Sequence, residues 1–239
     1  MPDCRNCNAV VAGKYCHDCG QPSILKRIDG HYIRHEIEHI LHFERGIFYT
    51  VKGLFLKPGQ TVRYFMTEDR SRLVKPVIFL IITSLIYSVI NHFFHIEEGY
   101  VNYQETKKSV NGYIFEWVES HYGYSNIIMG VFIAMWLKLF FKKYQYNFFE
   151  ILILLCFVMG MAMLIFTVFA LVQGISHFKL LEIGGYAGVL YCSWAIGQFF
   201  SQKQIGSYVK ALAAYLLGMA TFTLLILAIG SVADLILKH

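Results

Sequence analysis

Between Lys75 and Glu97 the chain runs for 21 residues, PVIFLIITSLIYSVINHFFHI, without a charged side chain. At 1.5 Å of rise per residue, a helix of that length covers about 30 Å, the thickness of a bilayer's hydrocarbon layer. Backbone polar groups find no water there, so the segment reads as a spanning helix with all its hydrogen bonds internal. Further apolar blocks at 124–141, 148–173, 184–200 and 209–234 predict five spans with the one at 76–96. The fourth block, GGYAGVLYCSWAIGQFF, is the shortest and least apolar. Composition agrees: 56% of residues are hydrophobic and 15% charged, against about 45–50% and 25% in soluble chains. The expected fold is an all-α integral membrane bundle of about five transmembrane helices, occupying residues 74–239.

The formal charge of +5 is unevenly distributed, and its distribution orients the bundle. Lys57, Arg63, Arg70, Arg72 and Lys75 precede the first span, Lys138, Lys142 and Lys143 close the second, and Lys203 and Lys210 join the fourth to the fifth. The other face has only Lys107, Lys108, Lys179 and Lys238, with Glu97, Glu98, Glu105, Glu116 and Glu119 after the first span. The positive-inside rule predicts a cytoplasmic N-terminus and an external C-terminus in a bacterial inner membrane. No basic stripe interleaved with aromatics appears, so the expected partner is the lipid bilayer and not nucleic acid. MPDCRNC lacks a charged then apolar leader, so no cleavable signal peptide is expected and the first span acts as the export signal.

Four of six cysteines, Cys4, Cys7, Cys16 and Cys19, form a C-x2-C-x8-C-x2-C array. Two such knuckles present two thiolate pairs to one tetrahedral ion, and a segment this short needs the metal's binding free energy to fold. Residues 1–22 are therefore expected to form a small structural zinc ribbon, with iron as the rival ion and a pair of disulfides as the metal-free alternative. Gly13 and Gly20 are expected at turns of positive φ. Cys156 and Cys192 lie in apolar blocks and read as small buried hydrophobes.

Residues 23–73 are expected to form cytoplasmic amphipathic helices. In 26–45, Ile33, Ile37, Ile40 and Leu41 make an apolar face, while His31, His35, His39 and His42 stack opposite with Glu38. That polar side is either solvated or a second metal site. His35, Glu36 and His39 match H-E-x-x-H, the zinc-protease pattern, but a segment this rich in His and Glu produces it readily, and no third ligand follows at a protease spacing. The next stretch, GIFYTVKGLFLKPGQTVRYFMTEDRSRLVKP, has an apolar run at Phe48, Val51, Leu54 and Phe55, a Pro58-Gly59 break and a second short helix. Apolar-faced and flanked by Lys and Arg, it is expected in the membrane interface.

The ordered set CxxC, CxxCGQ (Cys16 to Gln21), a His-rich helix, GIFYT (Gly46 to Thr50), KPG (Lys57 to Gly59), RYF (Arg63 to Phe65), Arg70 and Pro76 resembles the domain-of-unknown-function 3667 family of bacterial membrane proteins. It covers about the first third of the chain, and the family's Gly-Lys-Arg turn is Glu68-Asp69-Arg70 here. The resemblance implies a zinc ribbon fused to a membrane bundle and carries no activity.

Within the spans, Gly184, Gly185, Gly188, Ala214, Gly218 and Ala220 are placed for close helix packing, and Met159, Met161 and Met163 read as packing residues. No ionisable residue occupies a span centre, which speaks against an ion-coupled transporter. The expected function is a non-catalytic scaffold, adaptor or assembly factor that meets a protein partner through the ribbon. The alternatives are a membrane-bound zinc metalloprotease using the HEIEH motif, and a passive channel or lipid-handling protein lined by Ser84, Ser88, Asn91 and Gln198.

Overall fold

A computed structural model describes residues 4, 7, 9–10, 13–20, 46–70, 72–94, 110–176 and 178–237. The chain divides into two compact units, Met1–Glu44 and Arg45–His239. Every regular element among the described residues of the second is helical: α1 Gly46–Leu56, α2 Pro58–Thr67, α3 Pro76–Phe94, α4 Val110–Ser120, α5 Tyr122–Phe140, α6 Phe148–Ser176, α7 Leu181–Phe200 and α8 Ile205–Leu237, with one 3-10 turn, Lys142–Tyr144, between α5 and α6. Four helices are long and apolar enough to cross a membrane: α3, α5, α6 and residues Ile205–Ile236 of α8. The expected fourth span forms α7, which runs 20 residues but is not among those four. The 26–45 helix, with His31, His35, His39 and His42, lies outside the described residues.

Helix α6 is the central member, with Leu154, Phe157 and Val158 fully enclosed. It packs against α3, α5 and α7, while α8 lies along α5 and α7. Lipid tails are as apolar as the side chains, so helices in a bilayer associate through close van der Waals fit and not through burial from water. The expected small residues provide that fit. A Cβ on Gly218 of α8 would sit 2.5 Å from the Ile133 Cα of α5, and one on Gly184 of α7 would sit 2.9 Å from the Phe169 Cβ of α6. Met159 and Met161 are buried core residues.

Helix ends are capped locally and over long range. Asn147 and Glu150 form a reciprocal box at the start of α6: the Glu150 amide donates to Asn147 Oδ1 at 2.8 Å, and the Asn147 amide to Glu150 Oε2 at 2.7 Å. Gln173 Oε1 accepts from the Leu180 and Leu181 amides at 2.7 and 2.9 Å, closing the start of α7. Helix α4, in a loop for which the sequence suggested no helix, is held by Asp234 of α8, whose Oδ1 accepts from the Val110 amide at 2.8 Å. That carboxylate faces the positive end of the α4 dipole.

The expected apolar face of α1 divides. Leu54 is buried with Gly46 and Thr50, whereas Phe48 and Phe55 are exposed. Docking selects the inner face: the Thr50 hydroxyl accepts from the Val74 amide at 3.1 Å, and the Tyr191 hydroxyl donates to the Leu54 carbonyl at 2.9 Å.

Because Gly218 meets backbone, Gly218→Leu forces α8 from α5, an overpacking cost of about 1–3 kcal/mol or more. It should lower the melting temperature of the detergent-solubilised protein by several degrees. Gly206→Ala, where a Cβ meets nothing within 4 Å, should leave it unchanged.

Candidate functional site

The four cysteines singled out by their spacing come together. Their Sγ atoms all lie within 4.8 Å of one another, with Cys4 to Cys19 and Cys7 to Cys16 each at 3.5 Å. All four are free thiols, far beyond the roughly 2.05 Å of a disulfide. A tetrahedral ion with thiolates at about 2.3 Å places its sulfurs about 3.8 Å apart, so this quartet can close around one ion with little movement. The turns are built by backbone bonds. The Cys4 amide donates to the Ala9 carbonyl at 2.8 Å, and the Gly20 amide to the Cys16 carbonyl at 2.9 Å. Gly20 adopts φ +73°, a conformation glycine enters without Cβ strain. Gly13 does not have the expected positive φ; among described glycines only Gly20 does.

Cys4 and Cys16 are buried and Cys7 exposed. The Ala9 amide favours the Cys7 thiolate, but hydrogen bonds with Cys16, Cys19 and Cys4 outweigh it and push that thiol up to about 12. A metal ion binds the thiolate form, so binding releases the thiol proton. His35, Glu36 and His39 of the HEIEH match lie outside the described residues.

The second notable arrangement is the α1–α2 hairpin, seated on the last turn of α7. The Gly59 amide donates to Gln198 Oε1 at 2.8 Å. Arg63 Nη1 donates to the carbonyls of Gln198, at 3.0 Å, and Phe199. These carbonyls are among the last four of a helix, which lack intrahelical donors and carry its negative dipole end. The Arg63 guanidinium also lies 6.0 Å from the Phe199 ring centroid. A Cβ on Gly59 would fall 2.4 Å from the Phe199 nitrogen, so KPG fits only with glycine third. Phe65 of RYF is buried and meets Phe157 edge-on at 5.2 Å.

Aromatic rings complete this end of the bundle. Phe141 stacks on Phe200 at 3.9 Å, and Tyr146 packs on Phe199 at 4.7 Å. Burial holds the Tyr146 phenol above its ordinary value, with Arg63 pulling the other way. Gln198, a proposed channel-lining residue, is engaged with Gly59. Of the others, Ser84 accepts from Asn126 Nδ2 at 3.4 Å, and Ser88 donates to the Ser84 carbonyl.

Four helices of spanning length and apolarity mark the chain as a membrane protein. The resemblance to the DUF3667 family is supported directly: residues 44–88 match the family described as "Protein of unknown function (DUF3667)". The match takes in GIFYT, KPG, RYF, Arg70 and Pro76, the hairpin and α3 as far as Ser88, and leaves the cysteines outside it. No curated protein matches the chain, and no solved structure does.

Three variants have expected outcomes. Cys16→Ser with Cys19→Ser should abolish co-purifying metal, near one ion per chain in the parent by elemental analysis, and make residues 1–22 protease-sensitive. Gly59→Val should lower the folded, monodisperse yield in fluorescence-detected size exclusion, and Arg63→Ala should lower thermal stability by leaving the α7 carbonyls uncapped.

Proposed function

We propose that this chain is a five-span, non-catalytic membrane scaffold or adaptor whose cytoplasmic ribbon holds one structural zinc ion and docks a protein partner. The observation that carries this reading is the closeness of the four thiols, all within 4.8 Å of one another. Four thiolates around an ion make a closed shell with no position for substrate, which favours a structural role. Zinc supplies the folding free energy of a segment too small to build its own core.

For α7 as the fourth of the five spans, its ends are the argument. Its C-terminal rings meet Tyr146 just before α6, and Gln173 near the end of α6 caps its start. It therefore runs antiparallel to α6 for most of its length, and 20 residues reach about 30 Å. Its low apolarity comes from Gly184, Gly185, Gly188, Gly197 and Gln198, residues used for packing and docking. The count of ten basic flanks against four supports a cytoplasmic N-terminus in an inner membrane.

The topology test uses a reporter active only in the periplasm. Fused after His239 it should be active, and after Lys143 silent; the same result from both refutes the five-span arrangement. Affinity capture from solubilised membranes tests the role: a partner retained by the intact chain should be lost from the Cys16→Ser, Cys19→Ser variant at equal membrane abundance. Partners identical for both variants would remove the ribbon from the proposal.

A further inference from the structure

Helix α1 is apolar on both sides yet, at 11 residues, too short to cross a membrane. Its inner face, Gly46, Thr50 and Leu54, is buried on the bundle. Its outer face presents Phe48 at 84% exposure, Phe55 at 62%, Leu56 at 58% and Tyr49 at 52%. Exposed Lys52 lies within that same face and exposed Lys57 at its end. A helix apolar all round is normally enclosed, so something covers this one.

The level of the hairpin along the bundle indicates what. Phe79, three residues past the start of α3, packs against Phe157, nine past the start of α6. The first turns of α6 therefore project about 9 Å beyond α3. The 19 residues of α3 measure about 28 Å, close to the hydrocarbon layer, while the 29 of α6 measure about 43 Å, close to a bilayer with its headgroups. The hairpin sits at this end of the bundle, with Thr50 on Val74 just ahead of α3 and Arg63 on the end of α7, while Phe65 reaches in to Phe157 at the level of the first turn of α3. By length, the step between α3 and α6 corresponds to a headgroup layer. Charge agrees with this placement: residues 46–67 include Lys52, Lys57 and Arg63 and no acid. Arg63 is engaged with α7, leaving the two lysines facing outward.

We propose that the outer face of α1 is a lipid-binding surface: Phe48, Phe55 and Leu56 enter the acyl boundary while Lys52 and Lys57 engage the phosphates of anionic phospholipids. The lysine stems lie along the apolar surface and carry their ammonium groups to the headgroups. The hairpin thus holds the membrane beside the first span, joined to α7 on one side and to the leaflet on the other. This inference rests on the chain being a membrane protein, and its test separates the two.

The full chain is reconstituted in nanodiscs of phosphatidylcholine with or without phosphatidylglycerol, with the photoreactive residue p-benzoylphenylalanine replacing Phe48, Phe55 or, as reference, Leu85, which is 60% exposed on α3. After irradiation, mass spectrometry identifies what each probe captured. Probes at 48 and 55 should capture phospholipid, about fivefold more in anionic discs, and Lys52→Glu with Lys57→Glu should erase that difference. Capture of lipid at 85 but of residues 21–45, a second copy or another protein at 48 and 55 overturns the surface while the membrane reading stands. Lipid capture at 48 and 55 that ignores both headgroup charge and the lysine changes overturns the phosphate contact. Absence of lipid capture at all three positions sinks the membrane reading itself.

Discussion

The last turn of α7 sets a requirement that much of the fold answers. A helix ending inside a bundle leaves carbonyls without donors, and in a poorly hydrated environment each costs free energy unless another group reaches it. Here Arg63 reaches two of them, and Gly59 lies so close to the Phe199 nitrogen that no side chain fits between. Once α2 is fixed there, the Pro58 turn fixes α1, whose Thr50 accepts from Val74 two residues before α3 begins. One helix end thus positions the approach to the first span from 135 residues away in sequence.

How readable each element was in the sequence follows from what its residues spend themselves on. Helices α3, α5 and α8 turn large apolar side chains to their surroundings and the central α6 fills the core with them, so all four stand out by hydropathy. Helix α7 is enclosed by α6, α8 and α2, and enclosure calls for glycine at contacts and Gln198 at the dock. The substitutions that make it pack also lower its apolarity. Helix α1 misled for a related reason: periodicity marks apolar residues but cannot say which side meets protein, a choice made by Thr50 and Tyr191. The α4 cap was invisible because Asp234 lies 124 residues from the amide it accepts from. The cysteine quartet was legible because knuckle spacing is itself the geometry of the site.

Charge is handled differently at the two places where it matters most. In the ribbon, four thiols share one small volume, and hydrogen bonds with Cys16, Cys19 and Cys4 hold the Cys7 thiol above its ordinary value against the pull of the Ala9 amide. At the end of α7, a fixed guanidinium meets carbonyls that carry no formal charge. The first is a set of thiols close enough for one metal ion to gather. The second holds under any condition in which arginine stays protonated, which for a protein is all of them.

That contrast bears on where activity can reside. Thr50, Gly59, Arg63 and Phe65, from the motif residues inside the matched stretch, are committed to hydrogen bonds or close contacts within the bundle. A guanidinium shared between two helix carbonyls cannot also recruit a substrate without releasing them. What the matched stretch 44–88 does in this chain is therefore to seat a hairpin and lead into α3. The groups this framework leaves unspent are the cysteine quartet, the outer face of α1, and the aromatic cluster of Trp117, His121 and Tyr124 at the end of α4.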